Sequence, residues 1–414
     1  MRPTTSLRKP TSLLPISPFS AFLVTFVTVA VIVAVPATAQ SSSVFATGLL
    51  SPTKIALTPG GELLVAEGGT FTPNTGRLSV LDRDGNRRTL LDGLPSGPEP
   101  AGQPQGPSGM AFAPSGRLLF VLLAAGDVTA PGPAPGQDAP NPQGPSSPIL
   151  SSVLAVRLST PIEDLASGFT LTLDDHFEIS HGRRVTLTNS EGETAGIRLV
   201  HDFRDLVRDP VTNVRRFNPF GIALDPRGRV AWVVDSSQDS LERVSLRTDR
   251  DVRVLKFDPV PNPLPFGPPL VDPLPFGPPL VDPVPTSVRL FRGGLLVSLE
   301  TGFPFGQGVA AVLRVDLREG TTEEFIGGLT QALDVLPVRG RGPGTEIFVV
   351  ELSLDLLSVP PAPGRLLRFT DPAGPPEILA DTLAGPTSVA VDPVAGEAFV
   401  TEVFTGNVVR VTLP

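Results

Sequence analysis

One pattern recurs six times along this chain, and it limits the fold more than any other feature. Each copy opens on a proline or a small residue and runs through an apolar alternation. A Pro/Gly turn and a second apolar run follow. The copies begin near Ser51 (SPTKIALTPGGELLVAE), Gly106 (GPSGMAFAPSGRLLFVL), Asn218 (NPFGIALDPRGRVAWVVD), Val284 (VPTSVRLFRGGLLVSLE), Thr330 (TQALDVLPV, then TEIFVVE) and Gly385 (GPTSVAVDPVAGEAFVTE). Alternation such as Ile55 with Leu57, or Val389 with Val391, is what a strand with one buried face requires. Most copies continue into a second hairpin, with polar turns at Asp84-Gly85, Glu319-Gly320 and Ala373-Gly374. Four antiparallel strands repeated six times predict an all-β fold, a six-bladed β-propeller.

The two ends of the chain complete the pattern. The sixth copy stops at GNVVRVTLP, its third strand, while VFATGL (Val44 to Leu49) precedes the first copy and resembles a fourth strand. The N-terminal segment is therefore expected to close the last blade and remove two exposed strand edges.

The first 39 residues stand apart from the repeats. Arg2, Arg8 and Lys9, then AFLVTFVTVAVIVAV, then Ala37-Thr38-Ala39 read as a secretory signal peptide, leaving 40–414 as the propeller. The run from Ala21 to Val35 is shorter than the roughly 20 apolar residues of a membrane span. A secreted or periplasmic product with no stable span is expected. The net charge of −9 becomes −12 once those three cations leave, since the segment holds no acid. Such acidity argues against nucleic acid as a partner. With no cysteine among 414 residues, no disulfide staples the chain, and a monomer with a large core is expected.

In a propeller, loops joining the second and third strands of a blade share a face with the connections between blades. Segments 68–76, 125–148, 301–308 and 352–364 are all such loops, so that face is predicted to be the decorated, binding one. Pro-rich insertions occupy 126–149 and 259–283, the second containing a decapeptide copied in tandem at 263–282, which reads as tolerated low complexity. Residues 160–196 form a further insertion on the opposite face, with the alternation of an added hairpin.

Five copies place a carboxylate at the end of the second strand: Glu67, Asp235, Glu300, Glu351 and Glu402. The second copy carries Asp127 a few residues later. Acids converging at a channel mouth would suit a hard cation such as Ca2+ or Mg2+. Repetition from blade to blade favours the alternative, in which each acid accepts loop N–H groups and fixes its own blade. His176, His181 and His201 lack the marks of a zinc site, Trp232 reads as core, and no nucleophile elbow or phosphate loop is present.

The segments VFATGLLSPTKIALTPGGELLVAEGG, GPSGMAFAPSGRLLFVLL, RRFNPFGIALDP and TGNVVRVTLP resemble the ScyD/ScyE family of exported propellers, over about the whole chain after the leader. The motifs are shared in part with NHL-type and lactonase-type propellers. The resemblance implies a six-bladed propeller outside the cytoplasm and brings no catalytic residues with it. The expectation is a binding or scaffold module acting through the decorated face on a protein, glycan or small molecule. The alternative is a divalent-metal-dependent, lactonase-like hydrolase with its metal in the central channel.

Overall fold

The computed structural model describes residues 41–414 apart from 114–115, 133–137, 209–213, 249, 264–279 and 340–343. The leader and most of the tandem decapeptide lie outside the described residues. Six blade sheets, four of them four-stranded and two extended by a fifth strand, make a β-propeller. The inner strands are Pro52–Leu57, Pro107–Phe112, Pro219–Leu224, Pro285–Phe291, Ala332–Arg339 and Pro386–Asp392. Each packs beside the inner strand of the next blade, and the sixth packs beside the first.

The ring closes through its own ends. Ser42–Ala46 pairs antiparallel with Asn407–Thr412, aligning Ser42 with Val411 and Val44 with Val409. The strand thus starts two residues ahead of the expected Val44, and Phe45 reaches the Phe399 ring edge-on at 4.9 Å. Apolar side chains from facing blades meet between the sheets. Leu64, Leu78 and Leu90 of blade one pack with Leu119, Val121 and Leu154 of blade two. A matching layer joins Phe348 and Leu366 of blade five to Val389 and Val400 of blade six.

A bulge recurs at the second residue of every inner strand: Thr53, Ser108, Phe220, Thr286, Leu333 and Thr387 are each skipped by the ladder. Where that residue carries a hydroxyl, it donates to the first carbonyl of the next inner strand. Thr53 bonds Pro107 at 2.7 Å, Ser108 bonds Pro219 at 2.7 Å, Thr286 bonds Ala332 at 3.1 Å and Thr387 bonds Pro52 at 2.8 Å. Blades three and five carry Phe220 and Leu333 there instead.

The 160–196 insertion is a hairpin only in its second half, where Val185–Thr188 pairs with Thr194–Asp202. Its first half adds Phe169–Thr170 parallel to the outer strand of blade one and then forms the helix Leu173–Ser180. A capping box starts that helix: Asp175 N–H donates to Thr172 Oγ1 at 3.2 Å, and Thr172 N–H to Asp175 Oδ2 at 2.8 Å. The Phe169-Leu171-Leu173 alternation is real for two residues of strand, after which the cap overrides it.

Candidate functional site

Three of the five strand-end carboxylates are fasteners. Glu67 Oε2 accepts the Leu50 N–H at 2.5 Å, while Oε1 takes the Ser79 hydroxyl and pairs with Arg77 Nε at 2.8 Å. Glu351 accepts the Thr330 N–H at 2.6 Å and pairs with Arg365 at 2.5 Å. Glu402 accepts the Ala384 N–H at 2.8 Å and the Thr405 hydroxyl at 2.7 Å. In each case the donor is the N–H two residues ahead of the inner strand. Asp235 differs: its Oδ1 accepts Ser237 and Gln238 N–H at 3.0 and 2.8 Å, and its buried Oδ2 has no partner among the described residues. Burial pushes this carboxyl up to about 7, with the hydrogen bonds to Oδ1 pulling the other way.

Glu300 belongs to a different register. The first hairpin of blade four turns on Arg292 and Gly293 alone, both at positive φ (46° and 82°), with Phe291 opposite Gly294. Pro285 therefore faces Leu299, whereas Pro52 faces Glu67 and Pro386 faces Glu402. Leu299 occupies the fastener position, and a slip of one residue turns Glu300 to the other side. The fastener's donor would in any case be Pro283, which has no N–H. The Glu300 carboxylate makes no hydrogen bond among the described residues. Burial first, then the charge of Glu99, raise it to about 7 against the pull of Lys54.

The chemistry that the sequence reading passed over lies on the inner strands. The residue after each bulge forms one layer: Lys54, Gly109, Gly221, Ser287, Asp334 and Ser388. Two residues further along, Ala56, Ala111, Ala223, Arg289, Leu336 and Ala390 form the next. Asp334, fully buried, accepts from Arg289 Nη2 at 2.9 and 3.2 Å, from Ser287 Oγ at 2.5 Å and from the Ser388 hydroxyl. Burial alone would raise its carboxyl. Arg289, Lys54 and the two hydroxyls outweigh that and hold it below the ordinary range.

Lys54 Nζ stands 3.7 Å from Asp334, donates to Leu333 O at 3.4 Å and lies 5.6 Å from the Phe220 ring centroid. It thus starts on blade one and touches blades three and five, which only a side chain crossing the axis can do. Desolvation lowers this lysine to about 8, with Asp334 opposing. Lys54 divides the channel. Toward the decorated face, the connector face that carries the links between blades, lie Glu300 and Glu99. Toward the opposite face, where each inner strand turns into the second, opens a cavity of about 550 Å³, walled by the far halves of the inner strands. Lys54 and Arg289 line it; Asp334, Ser287 and Ser388 do not, so the two cations stand between the cavity and the buried acid.

On the connector face the loops are tied to one another. Arg216 pairs with Glu99 at 2.5 Å and Asp138 at 3.2 Å, Arg215 pairs with Asp239 at 3.2 Å and Asp282 at 3.3 Å, and Asn74 Nδ2 bonds Ser146 O at 3.2 Å. The histidines are dispersed. His176 is buried between Ser147 Oγ at 3.1 Å and Gly93 O at 2.9 Å, and His201 packs edge-on against Phe203 at 4.5 Å. Among the described residues no three His, Asp or Glu side chains are grouped closely enough to share a metal ion.

No protein-family model matches the chain, and no curated protein matches it. Solved structures of propeller type do. A Bacteroides thetaiotaomicron structural-genomics protein of unknown function aligns at 9% identity over 90% of this chain and 76% of that one, with a TM-score of 0.49. The PQQ-bound aldose sugar dehydrogenase of Streptomyces coelicolor aligns at 15% identity over 90% and 98%, TM-score 0.47. A putative glucose dehydrogenase-type oxidoreductase of Thermus thermophilus gives 15%, 90%, 99% and 0.45. At such identities no residue role or activity carries over.

Proposed function

We propose that the protein is an exported binding propeller of ScyD/ScyE type that holds a small ligand in the axial channel and catalyses no reaction of its own. The observation that carries this reading is the cavity of about 550 Å³ floored by Lys54 and Arg289, within the roughly 300–1,000 Å³ usual for small-molecule sites. The connector face, favoured on its loops, has its arginines engaged with loop acids and, apart from Glu300 and Asp235, few free charges to offer among the described residues, and is the weaker candidate.

The donor set does not fit a Ca2+ or Mg2+ centre. Such ions take six or more oxygens at Ca2+ and near-octahedral order at Mg2+. Here Glu67, Glu351 and Glu402 are committed to backbone N–H groups in three separate blades. Asp235 and Glu300 sit in two more blades, with carboxyls raised to about 7. The protein is expected to carry no stoichiometric divalent metal and to keep its melting temperature after chelation. Elemental analysis with calorimetry before and after EDTA tests this. One tightly held ion per chain, lost together with stability, would overturn the non-catalytic reading in favour of a metal-dependent hydrolase.

A further inference from the structure

Given a ligand in the axial cavity, we infer that it is an organic monoanion, a carboxylate head on a compact apolar body. This inference rests on the proposed function and adds the chemical class. The charges paired at the cavity floor are Lys54, Arg289 and Asp334, which leave one positive charge in excess while Glu300, behind Lys54, keeps its proton. A cation would be repelled, and a dianion would bring an uncompensated charge into apolar surroundings.

Arg289 still has donors to give. A guanidinium carries five N–H groups. Its bonds here run from Nη1 to Val288 O at 3.3 Å and from Nη2 to Asp334, so Nε–H has no partner among the described residues. The Nε–H of a guanidinium held in place by a buried carboxylate offers a carboxylate head one directed, charge-assisted hydrogen bond. Around and above the head group the walls turn apolar: Ala56, Ala111 and Ala223 keep the bore open beside Leu336, and Val338 lines it further out. Arg339 stands exposed on the rim and makes no ion pair among the described residues, which favours the approach of an anion.

Isothermal titration of the protein with octanoate, octanol and octyltrimethylammonium tests the inference. Octanoate is expected to bind at least about tenfold more tightly than octanol, and the ammonium not at all. Arg289→Leu should remove that preference, with a thermal melt confirming the fold. Because this variant strips a partner from buried Asp334, a second measurement uses the unaltered protein. Octanoate affinity should fall as pH rises, first through about 7, where Glu300 behind Lys54 ionises, and then through about 8, where Lys54, facing Asp334, Arg289 and Glu300, gives up its proton. Equal binding of octanol and octanoate that is abolished by Ala223→Phe would overturn the anion class while the cavity stands as the site. No binding of any probe, with Ala223→Phe costing stability because no open space receives its ring, would overturn the cavity itself.

Discussion

Glu67 and Glu300 look alike in sequence, each closing an apolar run, yet they respond in opposite ways to the loss of their charge. Glu67 is fully buried with a backbone N–H, a hydroxyl and Arg77 around it. Glu67→Ala leaves Arg77 and the Leu50 N–H without their acceptor and should cost about 3 kcal/mol, read from urea unfolding. Glu300 has nothing comparable to lose. Its folded carboxyl titrates near 7 and not at the ordinary 4.5, so the fold holds its proton more tightly than the unfolded chain does. That contribution is complete below about 4.5 and is lost as pH rises through about 7. Glu300→Gln should therefore match the parent at pH 4 and melt higher than the parent at pH 8. A variant that melts lower at pH 8 would mean that the carboxylate has an ionic partner. The difference between the two acids is one residue of hairpin length.

At the scale of elements, the blades were legible because each obeys a period of two and each inner strand begins at the same place. Blade boundaries follow from Pro52, Pro107, Pro219, Pro285 and Pro386, and only blade five replaces the proline, with Ala332. The site was harder to read because attention to carboxylates at strand ends selects the commonest structural position in the fold. The informative column was the inner strand itself. At its third residue the copies carry Lys, Gly, Gly, Ser, Asp and Ser, and two residues later Arg289 breaks a column of Ala and Leu. Three charges among small residues on the innermost strands were the available signal. The helix, expected as part of a hairpin, carried a signal that the alternation masked: Thr172 and Asp175 spell a capping box. It is no surface ornament: Ile179 and His176 are fully buried, and Phe169 and Leu171 share the core of blades one and two. Thr172→Ala should cost about 1 kcal/mol through the lost cap. Ile179→Ala should cost about 2–5 kcal/mol by leaving a cavity. Chemical denaturation of the two variants separates a docked helix from a loose one, for which both costs would vanish.

At the scale of the molecule, six sheets form a ring whose stability depends on every gap being closed, and one gap is closed by a strand from the other end of the chain. Asn407–Thr412 would be an open edge without Ser42–Ala46, and Phe399 would lose the ring of Phe45. An open edge is a template for pairing with a second chain. The same opening would reach the channel. Ala46 and Leu49 pack with Ile55, Ala390 and Phe399, and Ile55 and Ala390 line the axial cavity. Deleting residues 41–46 is therefore expected to lower the melting temperature, to produce concentration-dependent association in analytical ultracentrifugation, and to weaken binding in the cavity even though no ligand-facing residue is removed. Retention of the melting temperature with a monomeric profile would show that the ring holds without its N-terminal strand. Loss of stability with unchanged binding would mean that the inner strands keep their positions independently of the outer edge. In that case the Asp334 cluster, which ties Arg289 of blade four to Lys54 of blade one and Ser388 of blade six, would be what holds the centre of the ring.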